Sequence, residues 1–142
     1  KLWTVPLARC LCEHPLDGNL FFVGLENGDV LQRARYGKAP RPAKYRVHGY
    51  QSEVSAADFG HYGFDSVTAV TSIAVSSFRG LAPDESALLM LVGREDGSVS
   101  LYSTPSSSPL RTWSGFAHGT VVRVCWSPTR PSVFIVLDST SR

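Results

Sequence analysis

Two nine-residue stretches of the sequence, FVGLENGDV at Phe22–Val30 and LVGREDGSV at Leu91–Val99, follow the same pattern. Both read apolar, Val, Gly, any residue, Glu, Asn or Asp, Gly, any residue, Val. An Asn-Gly or Asp-Gly pair between alternating apolar runs predicts a β-hairpin. We expect type I′ turns centred on Asn27-Gly28 and Asp96-Gly97, in which both central residues have positive φ. The sequence therefore predicts the same hairpin twice.

The rest of the chain also has the pattern of β-strands. Apolar or alternating runs of strand length are separated by Gly, Pro, Asp, Asn or Ser, and no window of about 11 residues has the helical spacing of apolar positions. The sequence therefore predicts an all-β fold. The predicted strands are Leu7–Cys12, Leu20–Leu25, Val30–Arg35, Val67–Val75, Ala87–Val92, Ser98–Tyr102, Val121–Trp126 and Val133–Leu137.

The two hairpins form an internal repeat with an unusual spacing. Gly28 and Gly97 lie 69 positions apart, whereas a propeller blade has about 40 to 45 residues. We therefore expect the first repeat to carry an insertion of roughly 25 residues beyond that length. Gly, Pro and His cluster between Tyr36 and Ser66, so the insertion is expected at residues 37–66.

The segment after the second hairpin has the order in which one propeller blade leads to the next. A loop precedes a short outer strand at Leu110–Trp113, a turn with His118, and an apolar inner strand at Val121–Trp126. A four-stranded blade cannot bury both of its faces alone, so blades stack and cover one another. We therefore predict a β-propeller fragment of about two blades and the start of a third, over residues 1–58, 59–116 and 117–142.

The composition argues against several classes of function. The formal net charge is +2 and 18% of the residues are charged. The local excess of positive charge, which comprises Lys38, Arg41, Lys44 and Arg46, is typical of a solvated loop. We therefore expect no nucleic-acid partner. No run approaches the roughly 18 apolar residues that span a bilayer, so we expect no membrane insertion. Because the sequence begins with Lys1 rather than Met, we expect a fragment of a larger protein.

The cysteines and histidines do not form a recognisable chemical site. Three cysteines are too few, and odd in number, for a disulfide framework, which favours an intracellular, reducing location. Strand alternation puts Cys10, Cys12 and His14 on one face, but zinc sites need a second pair of ligands, so we expect buried cysteines and no metal. We expect His118 to be structural, because no nucleophile motif or phosphate-binding loop accompanies it. We therefore predict no catalytic residue, no cofactor and no enzyme activity.

Two tryptophans have different expected roles. Trp126 ends a predicted inner strand and is expected in the core. Trp113 lies on the predicted outer strand and Phe116 follows it closely. Because aromatic side chains often anchor protein interfaces, Trp113 and Phe116 are our candidates for contact with a partner protein.

The second repeat resembles a known family. DGSVSLYS at Asp96–Ser103 looks like the WD-repeat strand that usually ends in Trp-Asp, although Tyr102-Ser103 replaces that dipeptide. In that family a turn Asp, a His before the inner strand and a strand Trp form a structural hydrogen-bond network. The resemblance implies a WD-repeat β-propeller with a partial network of Asp96, Tyr102, His118 and Trp126, in which Tyr102 takes the Trp position.

A narrower resemblance covers residues 20–142. VCWSPTRPSVFIVLD at Val124–Asp138 is similar to the corresponding blade of dynein intermediate chains, which carry a Trp-Ser-Pro-Thr-any-Pro-any-apolar-Phe stretch there. Generic WD repeats have Ser-Pro-Asp-Gly at this point, whereas Ser127-Pro128 is followed here by Thr, Arg and Pro. The divergence of the repeats suggests the ciliary retrograde-transport (dynein-2) type or an axonemal type.

This resemblance implies a non-catalytic scaffold. A WD-repeat propeller of a dynein intermediate chain would bind the dynein heavy chain in a microtubule motor complex of the cytoplasm, cytoskeleton and cilium, with a role in intraflagellar transport. Other dynein intermediate chains and light chains would be further partners. The alternative is a WD-repeat interaction module of an unrelated complex, such as a coat, ubiquitin-ligase or chromatin complex. Because a truncated propeller leaves apolar blade faces uncovered, we expect the isolated chain to be insoluble or partner-dependent.

Overall fold

The computed structural model describes residues 6–47, 68–78, 87–114 and 117–140. These residues form β-strands and no helix, and their paired strands are antiparallel. The predicted all-β fold is therefore confirmed, and the sheets are compatible with a β-propeller fragment. Within the described ranges, no helix is long and apolar enough to cross a membrane.

Three sheets follow one another along the chain, and consecutive strands are neighbours in each. The first sheet comprises β1 (Ala8–Glu13), β2 (Leu20–Leu25), β3 (Val30–Ala34) and β4 (Lys44–Tyr45). The second sheet comprises β5 (Val70–Val75), β6 (Leu89–Arg94), β7 (Val99–Ser103) and β8 (Arg111–Trp113). The third sheet pairs β9 (Val121–Trp126) with β10 (Phe134–Asp138).

The two repeated hairpins have a different turn from the predicted one. In the first, the Gly28 N–H donates to Leu25 O at 3.1 Å and the Leu25 N–H donates to Asp29 O at 2.9 Å. The only positive φ in this turn is that of Gly28, at 92°. The type I′ prediction is therefore wrong: the loop is a type I turn followed by a left-handed glycine. The second hairpin repeats this geometry, with Gly97 donating to Arg94 O at 3.1 Å.

The side chains beside these glycines explain the difference. The Oδ1 atom of Asn27 accepts the N–H of Asp29 at 3.0 Å, and the Oδ1 atom of Asp96 accepts the N–H of Ser98 at 2.8 Å. These local bonds stabilise a turn that begins one residue before the expected position. Asn27, Gly28, Asp96 and Gly97 thus lie in the two hairpin turns, but only the glycines need a left-handed backbone.

The sheets bury their facing sides against one another. The first strands of the sheets are neighbours, since β1 contacts β5 and β5 contacts β9. Apolar side chains fill the space between sheets, and their removal from water stabilises the arrangement. The cluster between the first and second sheets includes Phe22, Val30, Tyr45, Val70, Met90, Val92 and Tyr102. The cluster between the second and third includes Leu91, Val99, Val121 and Val124.

The fourth strand of the first sheet lies inside the segment predicted to be an insertion. Lys44 pairs with Leu31 and Tyr45 pairs with Val30, and the side chain of Tyr45 is fully buried. The predicted start of the insertion is therefore wrong, because a two-residue strand is too short to show alternation in the sequence. Residues 48–66 of the predicted insertion lie outside the described ranges.

The three sheets fall within the residue ranges predicted for the blades, which were 1–58, 59–116 and 117–142. The assignment of these ranges to blades of a closed propeller stays a prediction. Phe116, one of the two predicted partner-contact residues, lies outside the described ranges.

Candidate interaction surfaces and sheet junctions

Two members of the predicted network, Asp96 and Tyr102, bond to different neighbours. Asp96 accepts its described side-chain hydrogen bond within its own hairpin, from the N–H of Ser98. Tyr102 is fully buried, and its hydroxyl donates to the carbonyl oxygen of Arg46, which follows the first sheet. Tyr102 therefore connects two sheets, whereas Asp96 shapes a turn.

The other two members, His118 and Trp126, form hydrogen bonds at the third sheet. The main-chain N–H of His118 donates to Oδ2 of Asp138 at 3.0 Å. The indole N–H of Trp126 donates to Ala74 O, on the second sheet, at 3.1 Å. In the described part of the chain, no direct hydrogen bond joins two of the four predicted residues, so each acts through its own partner.

The centre of the polar contacts between the first and second sheets is Arg94. Its side chain is 1% exposed. Its Nε and Nη2 atoms donate to Gly28 O at 3.2 and 3.1 Å, Nη1 donates to Ser100 Oγ at 2.6 Å, and Nη2 also donates to the Tyr102 hydroxyl at 3.2 Å. The sequence pattern did not reveal this residue, because the first repeat has Leu25 at the matching position.

Burial also changes the acidity of the two tyrosines at this junction. Burial raises the pKa of the Tyr45 hydroxyl and that of the Tyr102 hydroxyl above the usual range of a phenol. The positive charge of Arg94 acts in the opposite direction on the pKa of Tyr102. Both hydroxyls are therefore neutral hydrogen-bond donors at physiological pH.

An aromatic cluster lies between the second and third sheets. The ring centroids of Trp113 and Phe134 are 5.6 Å apart, and those of Trp126 and Phe134 are 5.7 Å apart in an edge-to-face arrangement. The guanidinium carbon of Arg111 lies 5.3 Å from the Trp113 ring centroid. Trp113 thus packs against the chain's own third sheet, and its predicted contact with a partner, together with Phe116, stays a prediction.

The outward face of the first sheet carries an apolar row. Leu11 on β1 pairs with Val23 on β2, which pairs with Leu31 on β3. Because side chains alternate along a strand, this row points away from the side that packs on the second sheet. Leu11 is 63% exposed. The face therefore offers a cross-strand apolar surface.

The third sheet exposes a second apolar face, at the opposite end of the sheet stack. Ile135 is 60% exposed and Leu137 is 43% exposed. Their neighbours Phe134 and Val136 point to the other side and pack on the second sheet. The two end sheets thus both present apolar side chains outward, in places where another sheet or a partner protein could cover them.

The described residues show no constellation for acid–base or metal chemistry. Burial raises the pKa of the Cys10 thiol and that of the Cys12 thiol, so both are protonated at neutral pH. The Nδ1 atom of His14 accepts the N–H groups of Leu16 and Asp17, each at 3.1 Å, so this ring is engaged in a turn. Within the described ranges, no group of three or more His, Cys, Asp or Glu side chains is placed to hold a metal ion.

A cavity of about 370 Å³ lies where β5 and β9 end. Trp126 and Phe78 are its aromatic lining residues and Arg123 is the one charged residue among its described lining. No carboxylate or histidine joins that lining. The described part of the lining therefore holds no pair of acid and base groups of the kind that proton transfer needs.

Comparisons with known proteins found relatives that are named as dynein intermediate chains. The chain is 31% identical, over 146 aligned positions, to cytoplasmic dynein 2 intermediate chain 1 of Mus musculus. The match covers 100% of the chain and 12% of that protein. It is 30% identical over 131 positions to the Homo sapiens protein of the same name, with 89% of the chain and 10% of that protein covered. No protein-family model matches the chain. The chain thus spans a small part of these relatives, and the similarity supports a relationship to the dynein intermediate chain family.

Proposed function

We propose that the chain is part of the non-catalytic scaffold of a dynein motor complex. It would belong to the WD-repeat propeller of an intermediate chain, and that propeller would bind the dynein heavy chain. The observation that carries the proposal is the similarity of the whole chain to cytoplasmic dynein 2 intermediate chain 1. In this proposal, residues 1–58 and 59–116 are two blades and residues 117–142 begin a third.

The geometry of the sheets supports a role in assembly. The first and third sheets both leave apolar side chains outward, with Leu11 at one end and Ile135 at the other. In a propeller, neighbouring blades cover such faces, and the loops and blade edges remain for partners. The described residues offer no acid–base or metal constellation to favour an enzyme.

The proposal also specifies partners and a location. The dynein heavy chain is the main partner, and other dynein intermediate and light chains complete the assembly. The complex would act on microtubules in the cytoplasm and the cilium, in intraflagellar transport. These assignments rest on the names of the two relatives and on the resemblance of the Trp126–Phe134 stretch.

Affinity purification tests the proposal. The full-length protein that contains this chain is tagged and recovered from ciliated cells, and its companions are identified by mass spectrometry. We expect dynein heavy chain and dynein light chains among them. Recovery of a soluble, folded protein without dynein heavy chain would contradict the proposal. Recovery of coat, ubiquitin-ligase or chromatin subunits in its place would favour the alternative of a WD-repeat module in another assembly.

A matched pair of variants tests the proposed contact at Trp113 and Phe116. Phe116→Ala in the full-length protein is expected to lower the recovery of a partner severalfold. The control is Tyr36→Ala, because Tyr36 is an aromatic residue that is 84% exposed on the first repeat. Equal recovery of all partners by the two variants would remove Phe116 from the proposed contact surface.

A further inference from the structure

The side chain of Arg94 connects two sheets that are far apart in the sequence. It extends from the end of β6 in the second sheet and donates two hydrogen bonds to the carbonyl oxygen of Gly28, in the hairpin turn of the first sheet. The two residues are separated by 66 positions. Two further bonds, to Ser100 Oγ and the Tyr102 hydroxyl, hold the guanidinium against β7.

Burial of the Arg94 guanidinium destabilises the folded chain unless its N–H groups are hydrogen-bonded. Removing a guanidinium from water is unfavourable, and a buried arginine is retained only where its N–H groups are hydrogen-bonded. The described acceptors of Arg94 are uncharged: one backbone carbonyl and two hydroxyl groups. Because the guanidinium is buried, each of these charged hydrogen bonds is stronger than it would be in water.

Tyr102 extends the contact to a second point on the first sheet. Its hydroxyl accepts from Arg94 Nη2 and donates to Arg46 O, beside the short strand β4. Its ring meets the ring of Tyr45 edge to face, with centroids 5.6 Å apart. Arg94 and Tyr102 together therefore hold both the turn and the last strand of the first sheet.

The backbone of Gly28 is shaped for this contact. A β-carbon at Gly28 would lie 3.3 Å from Arg94 Nε and 2.8 Å from Thr68 O. The left-handed φ of 92° directs the turn so that its carbonyl group meets the guanidinium. Both partners are therefore constrained, one by burial and the other by backbone conformation.

The residue type at the position of Arg94 differs among the three sheets. Arg94 pairs with the first residue of β5, and Leu25 and Asp138 hold the corresponding pairing positions in the first and third sheets. All three side chains are buried. Asp138 accepts the His118 N–H within its own repeat, so Arg94 is the member of this set whose bonds cross between the first and second sheets.

We propose that Arg94, together with Ser100 and Tyr102, forms an inter-sheet bridge that makes the first and second sheets one cooperative unit. The third sheet is joined to the second by apolar packing and by the Trp126–Ala74 hydrogen bond. The Val124 N–H also donates to Ser72 Oγ and the Ala117 N–H to Gly97 O, so we expect this junction to persist without the Arg94 bridge. The inference is independent of which motor or complex the protein serves.

Hydrogen exchange of the full-length protein that contains this chain, measured by mass spectrometry, tests the bridge. Arg94→Met keeps much of the side-chain length and removes the donors. We expect it to lower amide protection in residues 19–47 by about tenfold or more, while residues 121–138 change by less than about twofold. The control is Arg130→Met, because Arg130 is exposed in the turn of the third sheet. Unchanged protection in residues 19–47, or an equal loss in all three sheets, would overturn the proposal.

A milder variant decides the question if Arg94→Met does not fold. Tyr102→Phe removes one hydroxyl and leaves the ring packing in place. We expect it to lower amide protection at residues 26–30 and 44–47. In a protein that already carries Arg94→Lys, we expect Tyr102→Phe to cause at most about half of that loss of protection, because the two side chains act through shared bonds. Additive effects of the two substitutions would show that no such bridge exists.

Discussion

Gly93 on β6 lies directly against Val121, the first residue of the inner strand of the next sheet. A β-carbon at Gly93 would lie 3.1 Å from Val121 Cβ and 3.2 Å from Val124 Cγ1, with Val121 Cγ1 closer still. Gly24 has the same relationship to Val70, where a β-carbon would lie 2.5 and 2.8 Å from two Val70 carbons. The Val-Gly pair in both repeats is thus explained by close packing between sheets.

This packing predicts the effect of a single methyl group. Gly93→Ala should lower the free energy of unfolding by about 1 to 3 kcal/mol, because an extra carbon in a packed interior forces its neighbours apart. Gly93→Ala combined with Val121→Ala should cost less than the sum of the two single changes. Chemical denaturation measures all three variants. The control is Gly18→Ala, since nothing lies within 4 Å of a β-carbon there, and equal stability of Gly93→Ala and Gly18→Ala would contradict the prediction.

The indole hydrogen bond between the second and third sheets predicts a second effect. Trp126→Phe removes the donor to Ala74 O and keeps an aromatic ring next to Phe134. We expect a loss of about 1 kcal/mol in the free energy of unfolding, because the carbonyl loses its partner in a partly buried site. Val133→Ala, in the exposed turn before β10, should change stability by less than about 0.5 kcal/mol. Equal losses in the two variants would show that the indole bond contributes nothing.

The thiols between the first two sheets predict a dependence on pH. Burial raises the pKa of Cys10 and the pKa of Cys12 above the ordinary value of 9.0. In the unfolded chain these thiols ionise first, so the unfolded state binds fewer protons and the free energy of unfolding falls as the pH rises beyond 9.0. Below that pH the contribution is fully present. Iodoacetamide labelling followed by mass spectrometry should show a higher midpoint for both thiols in the folded chain than in urea, and identical midpoints would contradict this.

The two sides of β10 predict opposite responses to charge. Ile135→Lys lies on the exposed face and should change the free energy of unfolding by less than about 0.5 kcal/mol, while reducing self-association of the isolated chain. Val136→Lys places the charge against the second sheet and should cost about 1 to 3 kcal/mol. Thermal unfolding and sedimentation velocity measure the two effects. A larger loss in Ile135→Lys than in Val136→Lys would show that the face assignment is reversed.

Much of the fold could be predicted from the sequence because its signals are local. An apolar run of strand length such as Leu20–Leu25 is visible in the sequence, and the Asn27-Gly28 pair that follows it predicts a hairpin. The repeat of the Phe22–Val30 pattern in the second sheet follows from the same local rules. The short strand β4 could not be found in this way, since Lys44–Tyr45 has too few residues to show a period.

The polar contacts between sheets were the least predictable part. The WD-repeat resemblance implied bonds among Asp96, Tyr102, His118 and Trp126, but each of these residues bonds elsewhere in the described structure. Arg94 stood at a position that the repeat pattern treats as variable. Its role depends on the carbonyl group of Gly28, and nothing in the neighbouring sequence indicates that these two atoms meet.

Strands, hairpins and the alternation of apolar faces arise from residues next to one another in the chain, so the sequence alone was sufficient to predict them. The burial of Arg94 and the apolar faces left open at Leu11 and Ile135 depend on how the sheets pack. The free energies involved come from contacts such as the Arg94–Gly28 bond, whose partners lie 66 positions apart. Such contacts exist only after folding has brought the sheets together, and hydrophobic burial between the sheets supplies the driving force.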